Sequence, residues 1–175
     1  MIVRRESIYP DSLAAPWWLL READVASLIA QHAALRHLCE ELEDCADHLP
    51  DRAALACAAR ISAAFAELLK GHEAVERTIF GGVLATTATG VLPARIRDCH
   101  GVDQLHAEDL HEALTIAAQT VGPIRLDTLS YMMRCLFDGC RRSIDFQEAG
   151  MLLLARNRLT LSARLALLAS LTGTA

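Results

Sequence analysis

Aromatic side chains are scarce in this chain: phenylalanine, tryptophan and tyrosine together make up 5% of its 175 residues. Aromatic and β-branched runs, the mark of strands, are nearly absent, which argues against a mainly β fold. No stretch approaches the roughly 18 uninterrupted apolar residues of a membrane-spanning helix. Arg4, Arg5, Glu6 and Asp11 interrupt the N-terminal region, and Trp17 to Leu20 is too short an apolar run for the core of a signal peptide. A cytoplasmic protein that neither crosses nor enters a membrane is therefore expected. The only basic clusters are Arg4-Arg5, Arg141-Arg142 and Arg156/Arg158, none interleaved with aromatics, and the net charge is −5. Nucleic acid is not an expected partner.

Familiar catalytic signatures are missing too. There is no GxGxxG, no P-loop, and no serine or cysteine in the setting of a catalytic nucleophile. The six cysteines, Cys39, Cys45, Cys57, Cys99, Cys135 and Cys140, include no CxxC pair. They read as reduced, packing thiols. Cys39 and Cys140, both on core stripes, are the two that could form a thiol sensor.

What the chain has in quantity is alanine and leucine. Hydrophobic residues make up 53% and charged ones 22%, which excludes disorder and points to one helical domain with a core. Residues 1–23, with Pro10, Pro16 and Trp17-Trp18, read as an irregular lead packed on the body. Asp24 is the expected N-cap of a first helix over 25–48, with Val25, Leu28, His32, Leu35, Cys39, Leu42 and Ala46 on one face. Pro50-Asp51 makes a turn, and Asp51 caps a second helix over 52–80. That helix carries Ala58, Ile61, Phe65, Leu68, His72, Glu76 and Ile79 inward, and Gly81-Gly82 stops it.

Residues 84–102, with Thr86-Thr87, Gly90, Pro93 and Gly101, read as a partly irregular crossover. A third helix over 103–119 presents His106, Leu110, Ala113, Leu114 and Ala117, and Gly122-Pro123 ends it. A fourth over 125–155 turns Leu129, Met133, Leu136, Cys140, Ser143, Gln147 and Met151 inward. Thr160 caps a short last helix with Leu161, Leu165 and Leu168 on one side. Short links imply antiparallel hairpins. The expected fold is an all-α, antiparallel four-helix bundle over 24–159, with residues 160–175 as a C-terminal helix packed on it.

The inward stripes carry polar residues at matching levels. His32 faces His72 and Glu76 in the first hairpin; His106 faces Ser143 and Gln147 in the second. A buried carboxylate without a partner costs several kcal/mol, so Glu76 needs a cation, a donor or its own proton. Two side chains four apart on a helix share a face, and mixed histidine and carboxylate donors suit iron, manganese or zinc.

QHAALRHLCEELE (31–43), GHEAVERTIF (71–80), LHAEDLHEAL (105–114) and CRRSIDFQEAGMLLLAR (140–156) together resemble the hemerythrin-like, or HHE cation-binding, domains over about residues 24–159. The second segment is similar to the family's histidine–glutamate motif, and the last to a helix-four segment that usually reads RRHIxFE. The resemblance implies two non-haem irons held between four helices by histidines and bridging carboxylates. Members of the family handle dioxygen, sense oxygen or iron, or protect against nitrosative and oxidative damage.

Carried over, the metal ligands are His32, His72, Glu76 and His106, with His111 the alternative on helix three. Ser143 and Gln147 stand where a ligand histidine and glutamate belong. Glu73 and Glu148 adjoin the site, where either could lend an oxygen, with a solvent-facing position the leading expectation for both. One carboxylate among the matched positions is too few for a normal dinuclear site. The leading expectation is therefore a binding or sensing protein, not an enzyme, whose incomplete centre holds one iron (or zinc or manganese) or none. A small ligand such as dioxygen or nitric oxide fits that reading. The alternatives are a metal-free helical interaction protein with a polar core, and a working non-haem iron protein in the dioxygen or nitric-oxide response. Glu108-x-x-His111 imitates the ExxH of ferritin-like proteins but occurs once where that fold needs two. His72-Glu73-x-x-Glu76 lacks the second histidine of HExxH.

Overall fold

The structure, a computed structural model, describes residues 20–84, 91–119, 125–155 and 158–173. All regular elements among them are helices: α1 (Glu22–Asp47), α2 (Arg52–Leu84), α3 (Val91–Gln119), α4 (Leu126–Leu154) and α5 (Leu161–Thr172). Helix α1 packs on α2 and α4, and α3 packs on α2 and α4, which closes a ring of four. With short links between consecutive members, this is an antiparallel bundle. Helix α5 lies across α1 and α4. No described helix is long and apolar enough to cross a membrane.

The helix ends follow local chemistry, with three departures from the sequence reading. Asp51 caps α2, its Oδ1 accepting from the Ala53 amide at 3.1 Å, and Thr160 caps α5 through the Ala163 amide at 3.2 Å. Gly173, at φ 67°, ends α5 in the left-handed conformation glycine adopts freely. Asp24, however, is not the cap of α1: the helix starts three residues earlier than expected, at Glu22, with Arg21 as N-cap. Asp24 sits in the first turn, where its charge complements the helix dipole, and accepts from Arg21 Nη2 at 2.7 Å and Nε at 2.9 Å.

Nor do Gly81-Gly82 stop α2, which continues to Leu84. Most of the expected crossover is helix as well, since α3 begins at Val91. Pro93 falls in its first turn, where a residue without an N–H forgoes no intrahelical hydrogen bond. Residues 1–19, Thr86-Thr87, Gly90 and Gly122-Pro123 lie outside the described residues.

The interior has two apolar clusters. One gathers Leu35, Cys39, Leu42, Phe65, Leu110, Leu114, Met133, Leu136 and their neighbours. The other joins Val25, Leu28, Ile79, Ile96 and Met151 with Leu159, Ala163 and Leu167 from the α5 end. Between them on α1 lies His32, on α2 His72 and Glu76, and on α4 Gln147 and Glu148, all buried. A polar layer thus divides the core. The chain closes on itself at the second cluster, where Leu20 donates its amide to Arg158 O at 2.8 Å and Thr160 Oγ1 bonds Glu22 Oε1 at 2.5 Å.

Candidate metal centre

His32 on α1 and His72 on α2 are fully buried, with ring centroids 5.0 Å apart. Both direct Nε2 at one atom, the side-chain oxygen of Gln147 on α4, at 2.9 Å and 3.2 Å. The nitrogen of the same amide donates to the Glu76 carboxylate. One glutamine therefore joins both imidazoles and the carboxylate, using its acceptor for the donors and its donor for the acceptor. His72 Nδ1 meets the Gln31 side-chain oxygen at 2.9 Å. Ser143 is buried one turn before Gln147 on the same stripe of α4.

The other edge of His32 is held by Glu148, whose Oε1 lies 2.7 Å from Nδ1. Contrary to the sequence reading, Glu148 does not face solvent; it is completely buried. Arg36 Nη1 and Nη2 each reach it at 3.2 Å, and Ser170 Oγ on α5 donates to it at 2.7 Å. Burial alone would raise the Glu148 carboxyl, but the hydrogen bonds from His32, Arg36 and Ser170 outweigh it and hold the group below its ordinary value. Arg36 also donates to Asp145 at 2.9 Å and to Ser170 Oγ at 3.1 Å. Burial would lower the guanidinium, and the bonds to Glu148 and Asp145 reverse this and raise it. Both ring nitrogens of His32 thus face acceptors, Glu148 Oε1 on one edge and Gln147 Oε1 on the other. Glu73 is exposed and pairs with Arg77 at 2.7 Å.

Helix α3 contributes differently from the sequence reading. His106 is only half-buried, and its Nδ1 has no hydrogen-bond partner among the described residues. His111 is exposed and turns to α2, with Nδ1 3.1 Å from Ser62 Oγ. The buried face of α3 runs through Asp103, Ala107, Leu110 and Leu114, a register shift that leaves His106 at its edge. Asp103 comes close to α4, because a Cβ at Gly139 would stand 3.2 Å from its Oδ1.

Sequence reasoning named Glu148 beside the site but turned it to solvent, and it missed Arg36, Ser170 and Asp103. Glu148 lies one residue off the stripe of α4 and becomes buried because α5 widens the covered face. An unpaired Arg36 four residues after His32 was the available sign. Asp103 begins a stripe at i, i+4, i+7, i+11 that was visible had His106 not been preferred.

An antiparallel bundle with histidines and carboxylates on facing helices defines a class, the helical proteins built to hold cations between their helices. The family model of the hemerythrin HHE cation-binding domain matches residues 23–153, and the chain belongs to that family. Neither the curated proteins nor the solved structures provide a match.

The centre does not fit a pair of iron ions. Among the described residues, no group of three or more histidine, cysteine, aspartate or glutamate side chains is placed to hold a metal ion. An amide between two histidines and a glutamate is neutral where bridging carboxylates would bring the charge that two cations need.

Proposed function

We propose that this protein is a hemerythrin-like binding or sensing protein whose cation centre has become a hydrogen-bonded core closed by Gln147, so that it regulates or recognises and does not turn over substrate. One observation carries the reading: the Gln147 amide serves His32, His72 and Glu76 together. Each group that would hold an ion has a protein partner instead, and binding even one cation means displacing that amide. At most one iron, zinc or manganese ion, on His32, His72 and Glu76, is compatible with this chemistry. His106 stands apart from the amide network and is not proposed as a ligand.

A second reading, a metal-free helical interaction protein, is favoured by α5. Its outer side carries Leu161, Leu165 and Leu168, exposed by 73%, 58% and 46%, while Ala163, Leu167 and Ser170 face the bundle. The two readings part under metal titration. Isothermal titration of the purified chain with ferrous iron, without oxygen, should give weak binding at no more than one site under the first reading and no heat under the second. Two tight sites would overturn both.

A further inference from the structure

Helix α5 leaves one side open. Leu161, Leu165 and Leu168 form a stripe on it at i, i+4 and i+7, and Ser162, Ala166 and Thr172 are exposed beside them. None of these six side chains is charged. The inner side of the same helix is filled, with Ala163 and Leu167 buried in the second apolar cluster together with Leu159. No described residue covers the outer leucines.

The chain itself delivers an occupant to this point. Leu20 packs partly buried against the second cluster, with its amide bonded to Arg158 O at 2.8 Å. Thr160 Oγ1 bonds Glu22 Oε1, so the start of α1 is fastened to the start of α5. The stretch that ends at this fastening, SLAAPWWLL (12–20), has no charge and holds both tryptophans of the chain. Trp17 and Trp18 precede Leu20 by three and two residues, and Leu161 follows Arg158 by three. At a reach of about 3.3–3.6 Å per residue, both tryptophans and Leu161 lie within about 11 Å of the Leu20–Arg158 bond. Leu165 comes one helical turn later, about 5.4 Å along α5. An indole buries about 150–250 Å² of mostly apolar surface. With the inner side of α5 taken, the apolar surface nearest to these two is the outer stripe.

We propose that the segment carrying Trp17 and Trp18 is a strap that docks on the outer side of α5 and covers Leu161 and Leu165. Apolar surface meets apolar surface there, and no charge on either side loses its water. A second copy of the chain would meet the same leucines, but a segment tethered two residues away acts at an effective concentration in the millimolar range, above that of a second chain in dilute solution. The strap is a local contact, and its release leaves the Ala163, Leu167 and Ser170 side of α5 docked on the bundle. It goes beyond the reading in which α5 meets a partner, because such a partner has first to displace the two tryptophans. It stands whether or not the polar layer binds a cation.

The chain has no tryptophan besides Trp17 and Trp18, so tryptophan fluorescence of the full-length protein reads the strap alone. The expected emission is blue-shifted from that of the urea-unfolded chain, protected from acrylamide quenching, and unchanged on dilution. Leu161→Asp sets a charge under the indoles. In the first turn of α5 a negative charge suits the helix dipole, so the helix itself is not weakened. This variant should shift the emission to the red and remove the protection, with the circular dichroism of wild type. If it fails to fold, nuclear Overhauser contacts between the indole rings and the Leu161 methyl groups of the wild-type chain decide the matter. A wild-type emission equal to that of the unfolded chain, protection that survives Leu161→Asp, or absence of those Overhauser contacts would overturn the proposal. A blue shift that fades on dilution would also overturn it, with a second copy as the occupant.

Discussion

Gln147 and Glu148 are neighbours in the chain and hold opposite edges of the same imidazole, the amide on Nε2 of His32 at 2.9 Å and the carboxylate on Nδ1 at 2.7 Å. Successive residues of a helix point about 100° apart, so both can be buried only if the covered face of α4 is wide. The bundle covers Gln147, and α5, through Ser170 and the cluster around Leu167, covers Glu148. The short last helix thereby becomes part of the centre.

Replacing Gln147 with leucine should destabilise the fold by about 3–5 kcal/mol, because both histidines and Glu76 lose a partner in the core. Urea unfolding followed by circular dichroism measures this. A loss under about 1 kcal/mol would mean that the amide is not the hub of the layer.

Glu148→Ala should cost a similar amount, about 3–5 kcal/mol, since the buried edge of His32, Arg36 and Ser170 all lose their common acceptor. Glu73→Ala, at an exposed i, i+4 pair with Arg77, should shift stability by under about 0.5 kcal/mol. Equal effects of the two substitutions would refute the placement of Glu148.

Leu167 and Leu165 make a second contrast, on α5. Leu167 is fully buried and Leu165 is 58% exposed, so Leu167→Ala should cost about 2–5 kcal/mol and Leu165→Ser under about 0.5 kcal/mol. Thermal unfolding of the two variants tests whether α5 docks by the Ala163, Leu167, Ser170 side.

The pH dependence of the α1 end rests on His48. Its Nδ1 donates to the Asp44 carbonyl at 2.8 Å, and that bond, followed by the charge of Asp44, raises the imidazole above its ordinary value. A group raised on folding stabilises below its unfolded pKa and loses that contribution as pH rises through the folded one. His48→Gln should remove a small stability decrease across that window. NMR titration of the His48 ring should show the raised value; a midpoint at or below that of an unfolded histidine would contradict it.

Periodicity made most of the bundle legible. The stripes of α1 and α4 were read residue by residue, because regular i, i+3/i+4 apolar spacing in long helices leaves few registers. The resemblance located His32, His72 and Glu76 and marked Gln147 as a substitution. The error on α3 has a physical cause: Asp103, Ala107, Leu110 and Leu114 form a stripe almost parallel to the one through His106, and alanine gives a weak apolar signal. Glu148 and Arg36 were hidden for another reason. They satisfy one another under α5, and no pattern within a single helix reports on what a later helix covers.

The central claim is that Gln147 has replaced ion binding by hydrogen bonding, and metal content tests it most directly. Elemental analysis should be made on protein purified without chelators, for wild type and for Ser143→His/Gln147→Glu. The double substitution restores a histidine and a carboxylate on the stripe that faces His32 and His72. It should also gain a metal-dependent rise in melting temperature, worth about 2.7 kcal/mol at a hundredfold excess of free metal over Kd. Wild type should carry less than one metal per chain and show no comparable rise. Close to two irons per wild-type chain would contradict the account.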